Sequence, residues 1–160
     1  MRLIVAAVGR LKSGAEQALF AKYHVRLQAL GKTVGLAPIS WHEVAESRAG
    51  GAAQRRAAEG EALLKAARAA EVLICLDAAG TSLTSKAFAV LIGSLRDEGA
   101  RGAALLLGGA DGLAGALCAR ARITLSFGAI TLPHQLARIV LAEQLYRAAT
   151  ILAGHPYHRD

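Results

Sequence analysis

The chain of 160 residues has few aromatic residues and few cysteines. Aromatic side chains make up 4% of it, so a core must be built mainly from Leu, Ile, Val and Ala. Cys75 and Cys118 lack a C-x-x-C partner or a histidine at metal-ligand spacing, which indicates reduced thiols and no metal site. No apolar run reaches the roughly 18–20 residues that span a bilayer, and the N-terminal run is too short for a signal peptide. We therefore expect a cytoplasmic protein without a membrane segment.

The sequence also lacks the glycine motifs of common nucleotide-binding proteins. The stretch 108–115 reads G-G-x-x-G-x-x-G, which differs from the G-x-G-x-x-G of dinucleotide-binding domains, and no G-K-[ST] of a P-loop is present. G-x-S-x-G and H-E-x-x-H are absent as well. These absences disfavour dinucleotide, ATP, serine-hydrolase and zinc-protease chemistry, but they are compatible with another nucleotide-like ligand.

The net charge of +7 is unevenly distributed along the chain. Residues 1–70 hold 11 Lys and Arg against 5 Asp and Glu, a balance of +6, whereas residues 71–122 hold 5 of each and residues 123–160 hold 3 against 2. A basic N-terminal half indicates a surface that faces a polyanion. Charge alone does not separate RNA from an acidic protein or a membrane surface, and a solvated basic face without a partner stays open.

Hydrophobic periodicity predicts alternating strands and helices in one domain that covers residues 1–160. Strands are predicted at 2–8, 33–40, 72–77, 102–109 and 122–127, and helices at 15–30, 52–70, 85–96, 113–122 and 133–153. We expect Gly31 to end the first helix, Pro38 to place the second strand at an edge, and Thr84 or Ser85 to cap the third helix. Residues 41–51 and 78–82 are predicted to be a loop and a turn. This order predicts an α/β fold with a parallel sheet covered by helices on both faces.

Three predicted strand ends carry the residues that are best suited to a binding site. In a parallel α/β sheet, ligands bind outside the carboxyl ends of the strands. These ends are Leu76–Asp77, the glycine-rich segment 108–113, and the segment 127–134. Glycines at such positions let the backbone approach a ligand closely or adopt a positive φ. For residues 108–112 a simple tight turn explains the glycines equally well.

The final helix has apolar residues all round its circumference, which is typical of a helix buried on two sides. In a small chain the natural second partner is another copy, so we predict a homodimer. Glu143 and Arg147 stand four residues apart, and an ordinary i,i+4 ion pair is the alternative to a functional role for them.

The C-terminal segment HPYHRD (155–160) is unusual for a chain end, since free termini are normally small and polar. Two histidines, a tyrosine and an arginine together suit stacking on a nucleic-acid base and holding a phosphate. A metal site is the weaker interpretation, because no third ligand is evident.

Four stretches together resemble one known family: VAAVGRLK at the start, GGADGL, SFGAITLPHQLARIVLAEQLYRA, and HPYHRD at the end. They resemble the RlmH family, the small SPOUT methyltransferases that modify N3 of a pseudouridine in 23S rRNA. The combination of TLPH, EQLYRA and a terminal YHR is highly specific, whereas residues 41–70 match only in character. Ala110, Gly128 and Ala129 stand where such families vary, and these small residues leave a backbone role intact.

The resemblance implies a homodimer whose C-terminal region forms a deep trefoil knot, a topology that general chain-folding rules would not suggest. It also implies S-adenosylmethionine as the cofactor, held mainly by backbone amides and carbonyls of the knot. The positions that match the family's cofactor loops are Leu76, Gly108, Gly109, Phe127, Gly128, Ala129, Ile130, Thr131 and Leu132.

Methyl transfer to a base nitrogen requires alignment of the reacting atoms and removal of the N3 proton. The groups available for catalysis, given the resemblance, are His134, Arg138, Tyr157, His158 and Arg159. We expect the tail of one protomer to reach the partner's cofactor loops in a composite site, and the assembled ribosome to supply much of the recognition surface. The alternatives are a non-catalytic ribosome- or RNA-binding protein and a nucleotide-binding hydrolase on a flavodoxin-like sheet.

Overall fold

A computed structural model describes residues 1–157 and contains five strands and five helices within that range. In chain order they are β1 (Arg2–Val8), α1 (Ala15–Thr33), β2 (Ile39–Val44), α2 (Ala52–Ala66), β3 (Val72–Ser82), α3 (Ser85–Asp97), β4 (Gly102–Leu107), α4 (Gly115–Cys118), β5 (Ile123–Ser126) and α5 (His134–Leu152). The strands form one sheet in the order β2-β1-β4-β3-β5, and every neighbouring pair is parallel. The predicted parallel α/β sheet is confirmed.

Each face of the sheet buries its own hydrophobic core. Along β1, Leu3 and Val5 point to the core under α1, α3 and α5, whereas Ile4 and Ala6 point to the core under α2 and α4. This alternation follows from the two-residue period of a strand. Every residue of β4 is buried, because this strand is central and covered on both sides. Helices therefore cover both faces, as the sequence predicts.

The end of α1 and the position of β2 differ from the sequence predictions. Gly31 does not end α1 but lies within it, where a Cβ atom would stand 2.7 Å from the Leu36 carbonyl oxygen. The glycine is required by this close approach, and α1 continues to Thr33. The second strand is indeed at an edge of the sheet, but it covers Ile39–Val44 rather than 33–40. Residues 41–44, predicted as loop, belong to it.

The other boundaries follow the predictions with smaller changes. α2 ends at Ala66 instead of residue 70, and α4 is a single turn rather than a helix over 113–122. Thr84 is the N-cap of α3, as one of the two predictions had it, because its Oγ1 accepts a hydrogen bond from the Ala87 amide at 3.1 Å. β3 continues to Ser82, beyond its predicted end at residue 77.

The extension of β3 marks a close crossing of two chain segments. Leu76 pairs with Leu125, and Thr81 pairs with Leu125 again, so the intervening residues 77–80 bulge out of the ladder. A Cβ atom on Gly80 would lie 2.5 Å from the Leu125 carbonyl carbon. The two backbones can therefore pass each other only with glycine at this position.

α5 packs against α1 and α3 of the same chain. Its buried residues lie on several sides of the helix: Arg138, Ile139, Leu141, Ala142, Leu145, Tyr146, Ala148, Ala149 and Thr150. Two flanking helices and the sheet account for this two-sided burial within one chain, so a second copy is not needed to explain it. None of the helices within residues 1–157 combines the length and the apolar character required to cross a membrane.

Candidate active site

A cavity of about 410 Å³ lies between the bulge of β3, the carboxyl ends of β4 and β5, and the first turn of α5. Its volume is within the range of small-molecule sites, about 300–1,000 Å³. The lining residues come from three chain segments and the start of α5: Leu76–Ala78, Leu107–Gly112, Leu125–Gly128, Ile130–Leu132, His134 and Ala137. These are the three strand ends that the sequence singles out.

The glycine-rich segment 108–112 is both a tight turn and a wall of the cavity. The Gly112 amide donates to the Gly109 carbonyl at 3.0 Å, and Gly112 has a φ of +79°. A Cβ atom on Gly108 would stand 2.6 Å from the Gly112 carbonyl carbon and oxygen. The loop's own backbone therefore leaves no space for a side chain at position 108. The tight turn is present, and it brings main-chain groups of this segment to the cavity surface.

Two carboxylates tie the segment 108–113 to neighbouring parts of the chain. Asp77 accepts hydrogen bonds from the Ala79 amide at 3.0 Å and from the Leu113 amide at 3.5 Å. Asp111 accepts two from the Arg55 guanidinium, at 2.6 Å from Nε and 3.1 Å from Nη2. The hydrogen-bonded Arg55 holds the pKa of Asp111 below its usual value. Sequence reasoning noted Asp77 only as a strand end and missed Arg55, since no local pattern links residue 55 to residue 111.

The segment between β5 and α5 forms an apolar rim. Ser126 Oγ lies 3.1 Å from both the amide nitrogen and the carbonyl oxygen of Gly128, whose φ is +106°. Phe127 is 39% exposed and Ile130 is 78% exposed, although both are large and apolar. The same segment borders a second cavity of about 410 Å³ between α3 and α5. Ala129 is exposed and lies outside the lining of the first cavity. The other eight predicted cofactor positions line that cavity.

Among the catalytic candidates, the structure brings His134 to the cavity. His134 is exposed and is the first residue of α5, directly after the N-cap Pro133. Within residues 1–157, no side-chain cap is present at the N-terminus of α5. Free amides in a first helical turn, together with the helix dipole, favour an anion.

Arg138 lies outside the cavity lining and is 4% exposed. Its Nη2 donates to the carbonyls of Val8 and Gly9 (2.7 Å to Gly9), and its Nη1 lies 3.3 Å from Glu43 Oε1. Burial lowers the pKa of Arg138, and the nearby carboxylates of Glu43 and Glu46 oppose that shift. The guanidinium therefore ties the start of α5 to the end of β1.

Tyr157 packs against the C-terminal half of α5, outside the cavity of its own chain. Its ring lies 4.7 Å from that of Tyr146, the Arg147 guanidinium is 5.1 Å from its ring centre, and its hydroxyl is 3.3 Å from Glu143 Oε1. Burial, followed by a hydrogen bond with Tyr23, raises the pKa of Tyr157 to about 12. Arg147 and Glu143 form the i,i+4 ion pair at 2.7 Å. The candidates His158 and Arg159 lie outside the described residues.

One of the two thiols, that of Cys75, is shielded from reaction by burial. Cys75 is fully buried, and burial raises its pKa to about 12. Cys75 and Cys118 are both free. Within residues 1–157, no group of three or more His, Cys, Asp or Glu side chains is arranged to hold a metal ion.

Comparison with known proteins accounts for nearly the whole chain. Residues 1–158 match the family model described as "Predicted SPOUT methyltransferase". A protein of Nitrobacter winogradskyi named "Ribosomal RNA large subunit methyltransferase H" is 51% identical over 159 residues, with 99% of each chain covered. A protein of the same name from Rhizobium leguminosarum is 53% identical over 159 residues, again with 99% coverage of both.

A solved structure of a probable methylase family protein from Haemophilus influenzae has a similar fold. It superposes with a TM-score of 0.52 at 13% sequence identity, covering 99% of this chain and 70% of that chain. The likeness in backbone agrees with the full-length sequence match. The chain belongs to the SPOUT methyltransferase family.

Proposed function

We propose that the protein transfers a methyl group from S-adenosylmethionine to N3 of a pseudouridine in the 23S rRNA of the assembled ribosome. The relatives named ribosomal RNA large subunit methyltransferase H support the substrate class, because they match over the full length at about half identity. One structural observation carries the proposal. Eight of the nine positions assigned to the cofactor by family resemblance, which are distant in sequence, line one cavity.

The residues of this cavity fit the chemistry of S-adenosylmethionine. Leu76, Leu107 and Leu125 supply apolar surface for a purine ring, and the turn at 108–112 presents main-chain groups where side chains would collide. The carboxylate of Asp77 borders the cavity and favours a cationic ligand, whereas that of Asp111 is paired with Arg55. The residues that would hold the cofactor are therefore those of the 76–78, 107–112 and 125–132 segments.

When bound, the cofactor would supply a methyl group on a positively charged sulfur, so that an N–C bond could form at the base as the C–S bond breaks and the neutral thioether leaves. The protein's own residues have to orient the two reactants and exclude water, tasks that suit the glycine turn and the apolar rim. His134 stands at the cavity with a ring nitrogen that can accept the proton of N3. The free amides of the first turn of α5 would stabilise negative charge on the deprotonated base.

We further propose that the protein acts as a homodimer in the cytoplasm, where ribosomes are found. The exposed apolar side chains of Phe127, Ile130 and Leu136 lie at or beside the cavity, and a second copy would remove them from water. Sedimentation should then give a species of about twice the 16.6 kDa chain mass. Ile130→Lys should shift it towards monomer, whereas Val25→Lys, at an exposed site on α1, should not. A wild-type monomer at micromolar concentration would contradict the dimer and the composite site.

Two measurements test the methyltransferase proposal. The first is calorimetric binding of S-adenosylmethionine, with ATP as the ligand that a hydrolase would prefer. Gly108→Ala should abolish binding, because the new methyl group would collide with the Gly112 backbone. Gly115→Ala is the matched control, since a Cβ atom there meets nothing within 4 Å. Equal binding by both variants would place the cofactor elsewhere.

The second measurement is tritiated methyl transfer to ribosomes from a strain that lacks the modification, followed by mass spectrometry of the nucleosides. We expect 3-methylpseudouridine from ribosomes and little from free 23S rRNA. A methylated product at another base or atom would refute the proposed specificity but not the enzyme class.

A further inference from the structure

One face of α2 holds two loops together, and one of these loops is a wall of the candidate active site. The first loop joins β2 to α2 (residues 45–51), and the second joins β4 to α4 (residues 108–114). Arg55 and Glu59 stand one turn apart on α2, and each contacts both loops.

Arg55 bridges the loops with three of its donors. Nε and Nη2 donate to the two oxygens of Asp111 at 2.6 and 3.1 Å, and Nη1 donates to the Ala49 carbonyl at 3.1 Å. The two side chains are only partly exposed, 31% for Arg55 and 25% for Asp111. A two-point contact with a carboxylate fixes orientation as well as distance. Asp111 itself lines the cavity, so this contact fixes part of the cavity wall.

Glu59 lies between the two loops, next to Ser47 of the first and Gly109 of the second. It is 6% exposed, and its Oε1 accepts a hydrogen bond from the Ser47 amide at 2.9 Å. Its Oε2 has no hydrogen-bond partner among residues 1–157 and lies 2.9 Å from the position that a Cβ atom would take on Gly109. A carboxylate packed this closely leaves Gly109 no room to move towards α2.

From these contacts we propose that Arg55 is a positioning residue for the reaction, because its contact with Asp111 holds the 108–113 segment in the form that binds S-adenosylmethionine. The inference rests on the proposed function. The contact acts through preorganisation: a loop already fixed by α2 loses less conformational freedom when the ligand binds. Loss of this contact should therefore raise the dissociation constant for the cofactor more than it lowers the stability of the fold.

The test measures the calorimetric Kd for S-adenosylmethionine and the Tm of full-length variants. Arg55→Gln should raise the Kd about fivefold, the scale of a partly exposed ion pair, and shift the Tm by no more than about 4 °C. Arg55→Lys should restore part of the affinity, because it keeps the positive charge. The restoration should be incomplete, because an ammonium group lacks the planar fork that contacts both carboxylate oxygens. Steady-state assays should show a higher KM for the cofactor with an unchanged KM for ribosomes.

Asp111→Asn separates positioning from direct contact with the ligand. If Asp111 acts through Arg55, the double variant Arg55→Gln/Asp111→Asn should bind about as weakly as either single variant. Fully additive effects would overturn the proposal, since Asp111 would then contact the ligand independently. Arg101→Gln is the matched control, because it breaks an exposed arginine–glutamate pair, with Glu71, at the N-terminal end of β4.

The outcomes distinguish this inference from the proposed function. A wild-type protein that does not bind S-adenosylmethionine would refute the proposed function. A wild type that binds it while Arg55→Gln binds equally well would refute only the positioning role. A loss of affinity in Arg101→Gln as large as that in Arg55→Gln would also refute it, because any lost ion pair would then have the same effect.

Discussion

Replacing Arg138 by methionine should destabilise the fold without directly disabling the chemistry. The substitution keeps most of the volume of the side chain and removes its charge and its donors. In the native protein the buried guanidinium satisfies the carbonyls of Val8 and Gly9 and pairs with Glu43. A methionine leaves both carbonyls without this donor at a site that is 4% exposed.

The expected loss in the free energy of unfolding follows from these contacts. Hydrogen bonds to a charged group contribute about 1.5–3 kcal/mol each, and the guanidinium donates two of them to the carbonyls of Val8 and Gly9. Because the methionine stem keeps the apolar packing, we expect the free energy of unfolding to fall by about 3 kcal/mol. Glu43→Gln is the matched comparison. The guanidinium keeps the carbonyls of Val8 and Gly9 as acceptors and the nearby carboxylate of Glu46 in this variant, so the loss should be smaller, about 1 kcal/mol.

Urea denaturation followed by circular dichroism measures both losses. Since single domains are stable by about 5–15 kcal/mol, Arg138→Met should remain folded in the absence of urea. Its methyl transfer, corrected for the folded fraction, should be within a few-fold of wild type. An Arg138→Met variant with unchanged unfolding but no methyl transfer would refute this reasoning and support the catalytic role predicted from the sequence.

Three further predictions concern other parts of the chain. Gly80→Ala should lower the free energy of unfolding by about 1–3 kcal/mol, because its methyl group would collide with the Leu125 backbone, whereas Gly115→Ala should have little effect in the same urea titration. A thiol reagent at pH 8 should label one thiol per native chain, since Cys75 is buried and its pKa is raised to about 12; two fast-reacting thiols would contradict this burial. The raised pKa of Tyr157 means that the folded state favours the protonated phenol, so its contribution to stability is complete below pH 10.0 and is lost as the pH rises through about 12. Absorbance of tyrosinate should show a late-titrating group that is missing in Tyr157→Phe, and an ordinary titration in the wild type would contradict the packed position.

The central strands and the location of the cavity could be predicted because their signals are local. β4 is a run of small and apolar residues, and such a run is typical of a strand buried on both faces. Once parallel strands are assigned, the position of the ligand follows from the geometry of the sheet. The segments after the predicted strands 72–77, 102–109 and 122–127 could therefore be assigned to one site, although no single motif in them is diagnostic.

The end of α1 and the position of β2 could not be predicted in the same way. Gly31 has the appearance of a helix terminator, but its lack of a side chain serves the approach of Leu36 and Ile39. That requirement comes from tertiary packing and has no local pattern. The edge strand β2 contains Trp41, His42 and Glu43, which are half-buried or exposed, so the strand lacks a regular alternation of buried and exposed residues.

The positions of Arg138 and Tyr157 depend on neighbours that a helical projection does not identify. His134 and Arg138 share a face of α5, yet one turn of helix separates a side chain at the cavity from one beneath the end of β1. Tyr157 belongs to a segment whose composition suits nucleic-acid contact, but within one chain its ring packs on Tyr146. Only the placement of α5 between α1 and α3 decides both cases.

The cavity illustrates why a search for charged motifs is a poor guide to this kind of site. Main-chain atoms and apolar side chains form much of its wall, and Asp77 within β3 and Arg55 and Glu59 on α2 hold the glycine-rich turn in place. These groups act by fixing the path of a glycine-rich turn, so their sequence positions carry no recognisable spacing relative to it. Substitutions at such supporting residues should change cofactor affinity more than those at exposed charges elsewhere, and this difference is what the comparison of Arg55→Gln with Arg101→Gln measures.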